Sequence, residues 1–316
     1  MAINSISTLP PQIQQRYNAK LLSTPERNLI HNLAAVPVEL PDNMGFIDRQ
    51  SRYQRLETFE VPLDDAQMNP ASQSLERVDV DCRVRVYATY LVLTKQVVIT
   101  NEDPVLNSAA ARLGQALRET QDILQRDNLE ATASLINCVG GSNGDVPTEM
   151  SVSDIDAVVQ VLQDNDGEYI TSMIGAQDKI GTSPIGDSYL MMCTTKMIPV
   201  LNSMSGFIRK FQYPNIDKTL SSEWGGVNNV RTFVSSQGSV TANGSAGNAD
   251  VANCFVSAKE GYKVVWQSGG KAKFVYRPPG FGEDPAMLRQ TAAAVFYQGQ
   301  AITNDLWVQN LRSTGI

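Results

Sequence analysis

The chain has 316 residues, of which 42% are hydrophobic and 19% charged, and its formal net charge at pH 7 is -7. This length suits one large or two ordinary domains, and the composition is that of a folded, soluble protein. The negative charge argues against a surface that binds nucleic acid by counterion release, because such a surface must be basic.

Targeting and redox signals are weak throughout the chain. No apolar run approaches the ~18 residues of a membrane-spanning helix, and the first residues lack the basic start and apolar core of a secretory signal. Four cysteines are far apart and never form a C-x-x-C pair: Cys82, Cys138, Cys193 and Cys254. This spacing predicts reduced core residues of an intracellular protein rather than disulfides or a zinc site.

Residues 1–45 predict an arm. Short apolar patches alternate with prolines at positions 10, 11, 25, 37 and 41, which suits an extended segment that lies on another surface. The single histidine, His31, stands in a patch with Leu29, Ile30 and Leu33. We expect His31 to pack or to form hydrogen bonds rather than to bind a ligand.

The next segment predicts a long two-stranded hairpin. Residues 46–59 suit a strand, residues 60–74 a polar loop, and the stretch from Val78 to Tyr90 alternates apolar and polar side chains, so we expect one buried and one wet face. Isolated hairpins are marginal in water, which favours packing on a neighbouring subunit. The wet face carries Asp79, Asp81, Arg83 and Arg85. These charges either set the register with a neighbour or are simply solvated.

A long amphipathic helix is predicted after residue 100. Asn101-Glu102-Asp103-Pro104 suits a helix start, and one helical stripe continues to the region of residue 136. The members of the stripe are Leu106, Ala110, Leu113, Leu117, Leu124, Ala131 and Leu135. Asp122 and Gln125 fall on the polar side. Asp127 lies where the stripe should continue, and it either pairs with an arginine of a neighbour or marks where the stripe turns outward.

The remaining sequence predicts a second folded unit, followed by strands that rejoin the first sheet. A glycine-rich loop at 139–147 suits a boundary, and residues 140–260 predict an α/β unit with a helix from Ser151 and buried strands such as Tyr189–Thr195. Residues 261–316 contain further strand-like runs. We expect these runs to return to the first sheet and close it.

Three short motifs resemble chemical sites, and each is better explained by structure. Ser188, in Gly186-Asp187-Ser188, lacks the downstream histidine that an esterase requires. Residues 164–168 lack the ligand spacing of a calcium loop, so we favour a helix-ending turn. Residues 140–144 follow a helix and have no adjacent lysine, unlike a phosphate-binding loop. We therefore predict no catalytic residue, no metal and no cofactor.

The order of parts and two sequence blocks carry a family resemblance. The blocks are Ile99–Ile123, where a strand meets the long helix, and Ser222–Ser236, a glycine-centred strand. With this order of parts, the sequence resembles the major capsid proteins of tailed bacteriophages, which have the Hong Kong 97-type fold. Within them it is most similar to the family that includes the capsid proteins of coliphage N4 and its relatives. The likeness covers most of the chain from about residue 46.

The resemblance implies an α+β fold in five parts. These are an N-terminal arm (1–45), an extended β-hairpin loop with adjoining strands (46–100), a spine helix of a peripheral domain (101–139), an axial α/β domain (140–260) and closing strands of the peripheral domain (261–316). It also implies self-assembly into hexamers and pentamers of an icosahedral shell that encloses double-stranded DNA without specific recognition. Inter-subunit contacts are expected at Asp79, Asp81, Arg83, Arg85 and Asp127.

The same resemblance implies partners and a location. Portal and scaffolding proteins, and a cementing protein, are expected around a subunit made in the host bacterial cytoplasm and found in the virion capsid. Some relatives cross-link through a lysine on the extended loop, but the segment from Phe59 to Val78 contains no lysine. We therefore predict no such cross-link. An encapsulin-type compartment shares the fold and remains the alternative, as does, from another class, a hydrolase centred on Ser188.

Overall fold

The structure is a computed structural model that describes residues 26–60, 72–100, 105–132, 134–173, 185–214, 219–220, 222–245, 247–280 and 286–315. Its helices are α1 (Lys95–Thr100), α2 (Val105–Thr132), α3 (Val152–Asp164) and α4 (Ile198–Ser203). No described helix is long and apolar enough to cross a membrane.

The strands form three sheets. They are β1 (Val36–Leu40), β2 (Ile47–Tyr53), β3 (Arg77–Arg83), β4 (Arg85–Thr94), β5 (Ser134–Asn137), β6 (Tyr189–Thr194), β7 (Ile208–Arg209), β8 (Glu223–Val227), β9 (Val230–Ser235), β10 (Val240–Thr241), β11 (Val251–Ser257), β12 (Tyr262–Gln267), β13 (Lys273–Arg277), β14 (Arg289–Ile302) and β15 (Val308–Ser313). The result is a mixed α+β structure, as the sequence predicts.

The five-stranded sheet is built around β14. This 14-residue strand pairs with β4 along one edge and with β12 and then β13 along the other, while β1 pairs in parallel with β12. Helix α2 crosses one face, where Leu113 and Leu117 pack against Ala292, Ala294 and Phe296. The small alanine side chains let the helix approach the sheet closely.

Helix α2 differs from its predicted form in extent and in its buried face. It ends at Thr132, and Leu135, predicted to belong to its stripe, lies in β5; residues 101–104 lie outside the described residues. Asp122 and Gln125, predicted to be on the polar side, are fully buried. The reason is that residues 26–35 pack against this part of the helix, where a helix on a sheet alone would face water.

The eight-stranded sheet follows the order β5-β15-β11-β6-β9-β8-β7, with β10 on β11. Helix α3 packs on it through Ile155, Val158 and Leu162. The prediction that all strands after residue 260 close the first sheet is wrong for β15, because that strand lies between β5 and β11. Its buried residues Leu311 and Val308 belong to two cores, and the core around Val308 also contains Tyr262 of the five-stranded sheet.

The extended hairpin comprises β2, β3 and the residues between them. β2 and β3 pair antiparallel from Ile47 opposite Arg83 to Tyr53 opposite Arg77, and residues 61–71 lie outside the described part. The single strand predicted from Val78 to Tyr90 is divided at Val84, where the chain passes from β2 to β14 as its pairing partner. Beyond Val84 the prediction that Val86, Ala88 and Tyr90 are buried is wrong, because α2 covers the opposite face of β4.

Candidate functional site

In the described part of the chain, the hydroxyl of Ser188 is hydrogen-bonded to another hydroxyl and not to a catalytic base. Its side chain is buried, and its Oγ lies 2.5 Å from Oγ1 of Thr171, with either hydroxyl able to donate the hydrogen bond. The chain's one histidine, His31, is engaged elsewhere with Asp122. Ser188 therefore precedes the buried strand β6 as a structural residue, and its hydroxyl joins two chain segments.

The acidic segment at residues 164–168 is a helix-ending turn, as predicted. Asp166 has the positive φ of 55° that such a turn requires, and its carboxylate lies 3.1 Å from Arg55. Glu168 is 2.8 Å from Nζ of Lys259, whose hydrogen bond lowers the pKa of the Glu168 carboxyl group. These two carboxylates have separate cationic partners. Among the described residues, no group of three or more His, Cys, Asp or Glu side chains is placed to hold a metal ion.

The glycine loop at residues 140–144 binds an anion that belongs to the protein itself. Oδ1 of Asp154 accepts hydrogen bonds from the backbone N–H groups of Val139 (3.1 Å) and Gly141 (2.7 Å). Its Oδ2 accepts from the backbone N–H and hydroxyl of Ser151. A carboxylate thus occupies the position that a phosphate would take, and the same residue caps α3.

The four cysteines are buried, as predicted for core residues. Cys193 and Cys254 lie opposite each other on the paired strands β6 and β11. Burial raises the pKa of the Cys82 thiol to about 11. A thiol with a raised pKa is a poor nucleophile. The cysteines thus act as small apolar residues.

Charges on the extended hairpin and at the start of β4 are divided between paired acids and unpaired arginines. Asp81 accepts two hydrogen bonds from Arg49 across the strands, at 2.6 and 2.7 Å, and Asp79 accepts from Arg77. These arginines lower the pKa of both carboxyl groups. The side chains of Arg83 and Arg85 have no hydrogen-bond or ion-pair partner in the described part of the chain. The two arginines are therefore available to another molecule.

The base of the extended hairpin is anchored by a buried ion pair that the sequence analysis missed. Nζ of Lys263, on β12, lies 2.7 Å from Oδ2 of Asp48, and the lysine side chain is only 1% exposed. Next to this pair, a Cβ atom on Gly299 would lie 2.8 Å from the carbonyl oxygen of Arg83. The one signal in the sequence was a lysine inside the apolar run of β12.

His31 joins three parts of the structure, in agreement with its predicted hydrogen-bonding role. Its Nδ1 is 2.7 Å from Asp122 on α2, and its carbonyl oxygen accepts a hydrogen bond from the Tyr262 hydroxyl on β12. The imidazole ring meets Phe255 on β11 edge to face, with 6.2 Å between centroids. The segment 26–35 therefore fastens α2 to both large sheets.

Asp127 lies at the surface of α2. Its Oδ1 accepts hydrogen bonds from Arg126, which also donates to the carbonyl oxygen of Gln237. Leu129, two residues further on, is fully buried. Asp127 thus stands where the buried stripe has turned away, and its own chain supplies an arginine; a contact with a neighbour's arginine stays a prediction.

Apolar side chains are exposed on the extended hairpin and on the adjoining face of the five-stranded sheet. On the hairpin and beside it they include Phe46, Ile47, Tyr53 and Phe59, and on β4 they are Val86, Tyr90 and Val92. Contiguous exposed apolar surface usually marks a site of contact with another molecule. The candidate functional sites of this chain are therefore surfaces.

Comparison of the whole fold gives matches where sequence comparison does not. No protein-family model matches the sequence, and no curated protein is detectably similar to it in sequence. The fold is similar to the capsid of Ralstonia phage GP4 (TM-score 0.70, 13% identity, 99% of this chain and 98% of the other). It is similar to the acidic stable capsid structure of Helicobacter pylori bacteriophage KHP30 (TM-score 0.70, 12% identity, 99% of each chain). It also matches the cyanophage Pam1 capsid (TM-score 0.66, 11% identity, 99% and 100%).

Proposed function

We propose that this chain is the major capsid protein of a tailed bacteriophage and assembles into an icosahedral shell around double-stranded DNA. The observation that carries the proposal is the end-to-end match to phage capsid chains, which leaves almost no part of either chain unmatched. Identities of 11–13% make this a likeness of fold. The likeness to N4-type capsid proteins rests on the two sequence blocks.

The distribution of surface chemistry supports an assembly role. A shell needs many modest contacts that misplaced subunits can break, and extended segments supply contact area without one large sticky patch. The hairpin offers exposed apolar residues, Phe59 and Tyr53 among them, beside the unpaired Arg83 and Arg85. We place subunit contacts of hexamers and pentamers on this hairpin. The net charge of -7 suits a container that does not bind its DNA.

The proposed parts keep their predicted order, with changes at three strands. Residues 1–45 contain the arm, but β1 within them pairs with β12 in the five-stranded sheet. Residues 46–100 form the extended loop with adjoining strands, and 101–139 contain the spine helix followed by β5, which pairs with β15. Residues 140–260 form the axial domain. Of the closing strands in 261–316, β15 pairs with the eight-stranded sheet and belongs with the axial domain. Portal, scaffolding and cementing proteins are the proposed partners in the host cytoplasm and the virion.

The test is to express the chain alone and with the other structural proteins of its virus, and to examine the products by sedimentation and electron microscopy. We expect capsomers or closed shells. A 34.5 kDa monomer at every concentration in both preparations would overturn the proposal. Nucleic acid extracted from particles of infected cells separates a viral shell, which holds a genome, from a compartment that holds a protein cargo.

A further inference from the structure

The outer edge of β4 presents a row of backbone groups without a partner strand in the described part of the chain. Lys95, just after β4, donates its backbone N–H to Leu288 at 2.7 Å, which fixes which residues point toward β14. Because such positions alternate along an antiparallel strand, the N–H groups of the even-numbered residues point outward. These residues are Val86, Ala88, Tyr90, Val92 and Thr94.

Part of the same edge is already covered by the chain itself. The N–H of Val84 points outward in the same phase, and it donates to the carbonyl oxygen of Phe46 at 2.8 Å. Strand β2 pairs with the same edge of β3, and β2 carries charged side chains. Beyond Val84 the line is open, because the chain turns away through Gly45 (φ 83°) toward β1.

The open part of the edge lacks the features that normally prevent strand pairing. Natural edge strands are short, charged, bulged or interrupted by proline. From Val86 to Thr94 there is no charged residue and no proline. Val86, Tyr90 and Val92 are 54%, 68% and 49% exposed, so the apolar face would extend into an added strand. Helix α2 lies on the opposite face and leaves the edge clear.

We propose that β4 pairs antiparallel with β4 of a second copy, about a two-fold axis at Tyr90. An added antiparallel strand must match outward-pointing residues with outward-pointing residues. The strand meets this requirement with itself when Tyr90 lies opposite Tyr90, Ala88 opposite Val92 and Val86 opposite Thr94.

The contact joins two five-stranded sheets into one, with both α2 helices on the same face. An isologous contact of this kind closes on itself, so it forms pairs of subunits rather than fibres. The inference rests on the proposed function, since it names one contact by which copies in a shell would meet. The two experiments below test only the β4 contact, so a negative result is compatible with shells that form through other contacts.

The first experiment replaces Tyr90 with cysteine in the full chain. At the two-fold axis the two Cα atoms would be ~5.5 Å apart, a distance that a disulfide spans. Under mild oxidation of assembled particles we expect a covalent dimer on a non-reducing gel, and the four native cysteines are buried and unable to contribute. Leu306→Cys, at an exposed site just before β15, is the control. No dimer, or a yield equal to that of the control, would overturn the proposal.

The second experiment replaces Ala88 with proline, which removes an outward N–H that has no partner strand within the described chain. Ala88→Val keeps that N–H and is the matched control. We expect Ala88→Pro to fold and to weaken association of copies at least ~10-fold, while Ala88→Val associates like the unchanged chain. If Ala88→Pro does not fold, the cysteine result decides. Normal shells from Ala88→Pro, with Tyr90→Cys uncrosslinked, would overturn the inference and leave the proposed function standing. An unchanged chain that never assembles would overturn both.

Discussion

His31 and Asp122 form a fully buried pair, in which Nδ1 and the backbone N–H of the histidine lie 2.7 and 2.9 Å from the two carboxylate oxygens. Apolar side chains, Ile30 and Leu129 among them, also join the segment 26–35 to α2. This pair therefore holds the segment 26–35 onto the rest of the molecule.

We expect His31→Ala to lower the free energy of unfolding by about 3 kcal/mol, because it leaves the Asp122 carboxylate buried without its main partner. Chemical denaturation followed by fluorescence measures the loss. Asp127→Ala, which removes an exposed carboxylate from the same helix, should change stability by less than ~1 kcal/mol. Equal effects of the two substitutions would contradict the role of the pair.

The second prediction concerns Asp48 and Lys263 at the base of the hairpin. Asp48→Asn leaves a buried lysine without its counterion, and we expect a loss of about 3 kcal/mol. Replacing both residues, with Lys263→Met and Asp48→Ala, removes the unpaired charge and should cost less than Asp48→Asn alone. A double-mutant cycle in a denaturant titration measures the coupling; additive effects of the two changes would show that the ion pair does not act as a unit.

The third prediction concerns the unpaired arginines. Arg83→Glu combined with Arg85→Glu should leave the fold intact, because neither side chain has a partner in the described chain, but it should reduce shell assembly. The control is Arg83→Lys with Arg85→Lys, which retains the positive charge. Electron microscopy and circular dichroism measure the two properties. Normal shells from the glutamate variant would mean that these arginines are simply solvated.

The fourth prediction concerns acid. Arg49 and Arg77 lower the pKa of Asp81 and Asp79 in the folded hairpin, so these pairs contribute stability that is present above the unfolded pKa of ~3.9 and is lost as pH falls through the lower folded values. We expect the hairpin to become more accessible to an acid-active protease below about pH 4. Asp81→Asn should remove much of this pH dependence; an unchanged profile in that variant would count against the mechanism.

The fifth prediction concerns covalent bonds between subunits. Since the segment from Phe59 to Val78 has no lysine, a lysine-based cross-link from the extended loop cannot form there. Mature shells boiled in detergent should therefore run as a single band at 34.5 kDa. A ladder of higher bands that survives reducing agent would contradict this prediction. If only the single band is found, the interlocking of extended segments, or a separate cementing protein, supplies the strength of the shell.

Local sequence patterns predicted the elements with strong periodicity. The alternation from Val78 to Val84 predicted β3, and the helical stripe through Leu113 and Leu117 predicted α2. The absence of a histidine downstream of Ser188 argued against the esterase arrangement that needs one there. These patterns are local because neighbouring side chains on one strand or helix face share one environment.

Tertiary structure decided which surface covers each face. Asp122 is buried because His31, 91 residues away, packs against it, and Val86 and Tyr90 are exposed because α2 covers the other face of β4. β15 belongs to the second sheet because its strand neighbours, β5 and β11, come from distant parts of the chain. Periodicity shows which side of an element is apolar, but only long-range pairing determines what lies against that side, or leaves it open for another subunit.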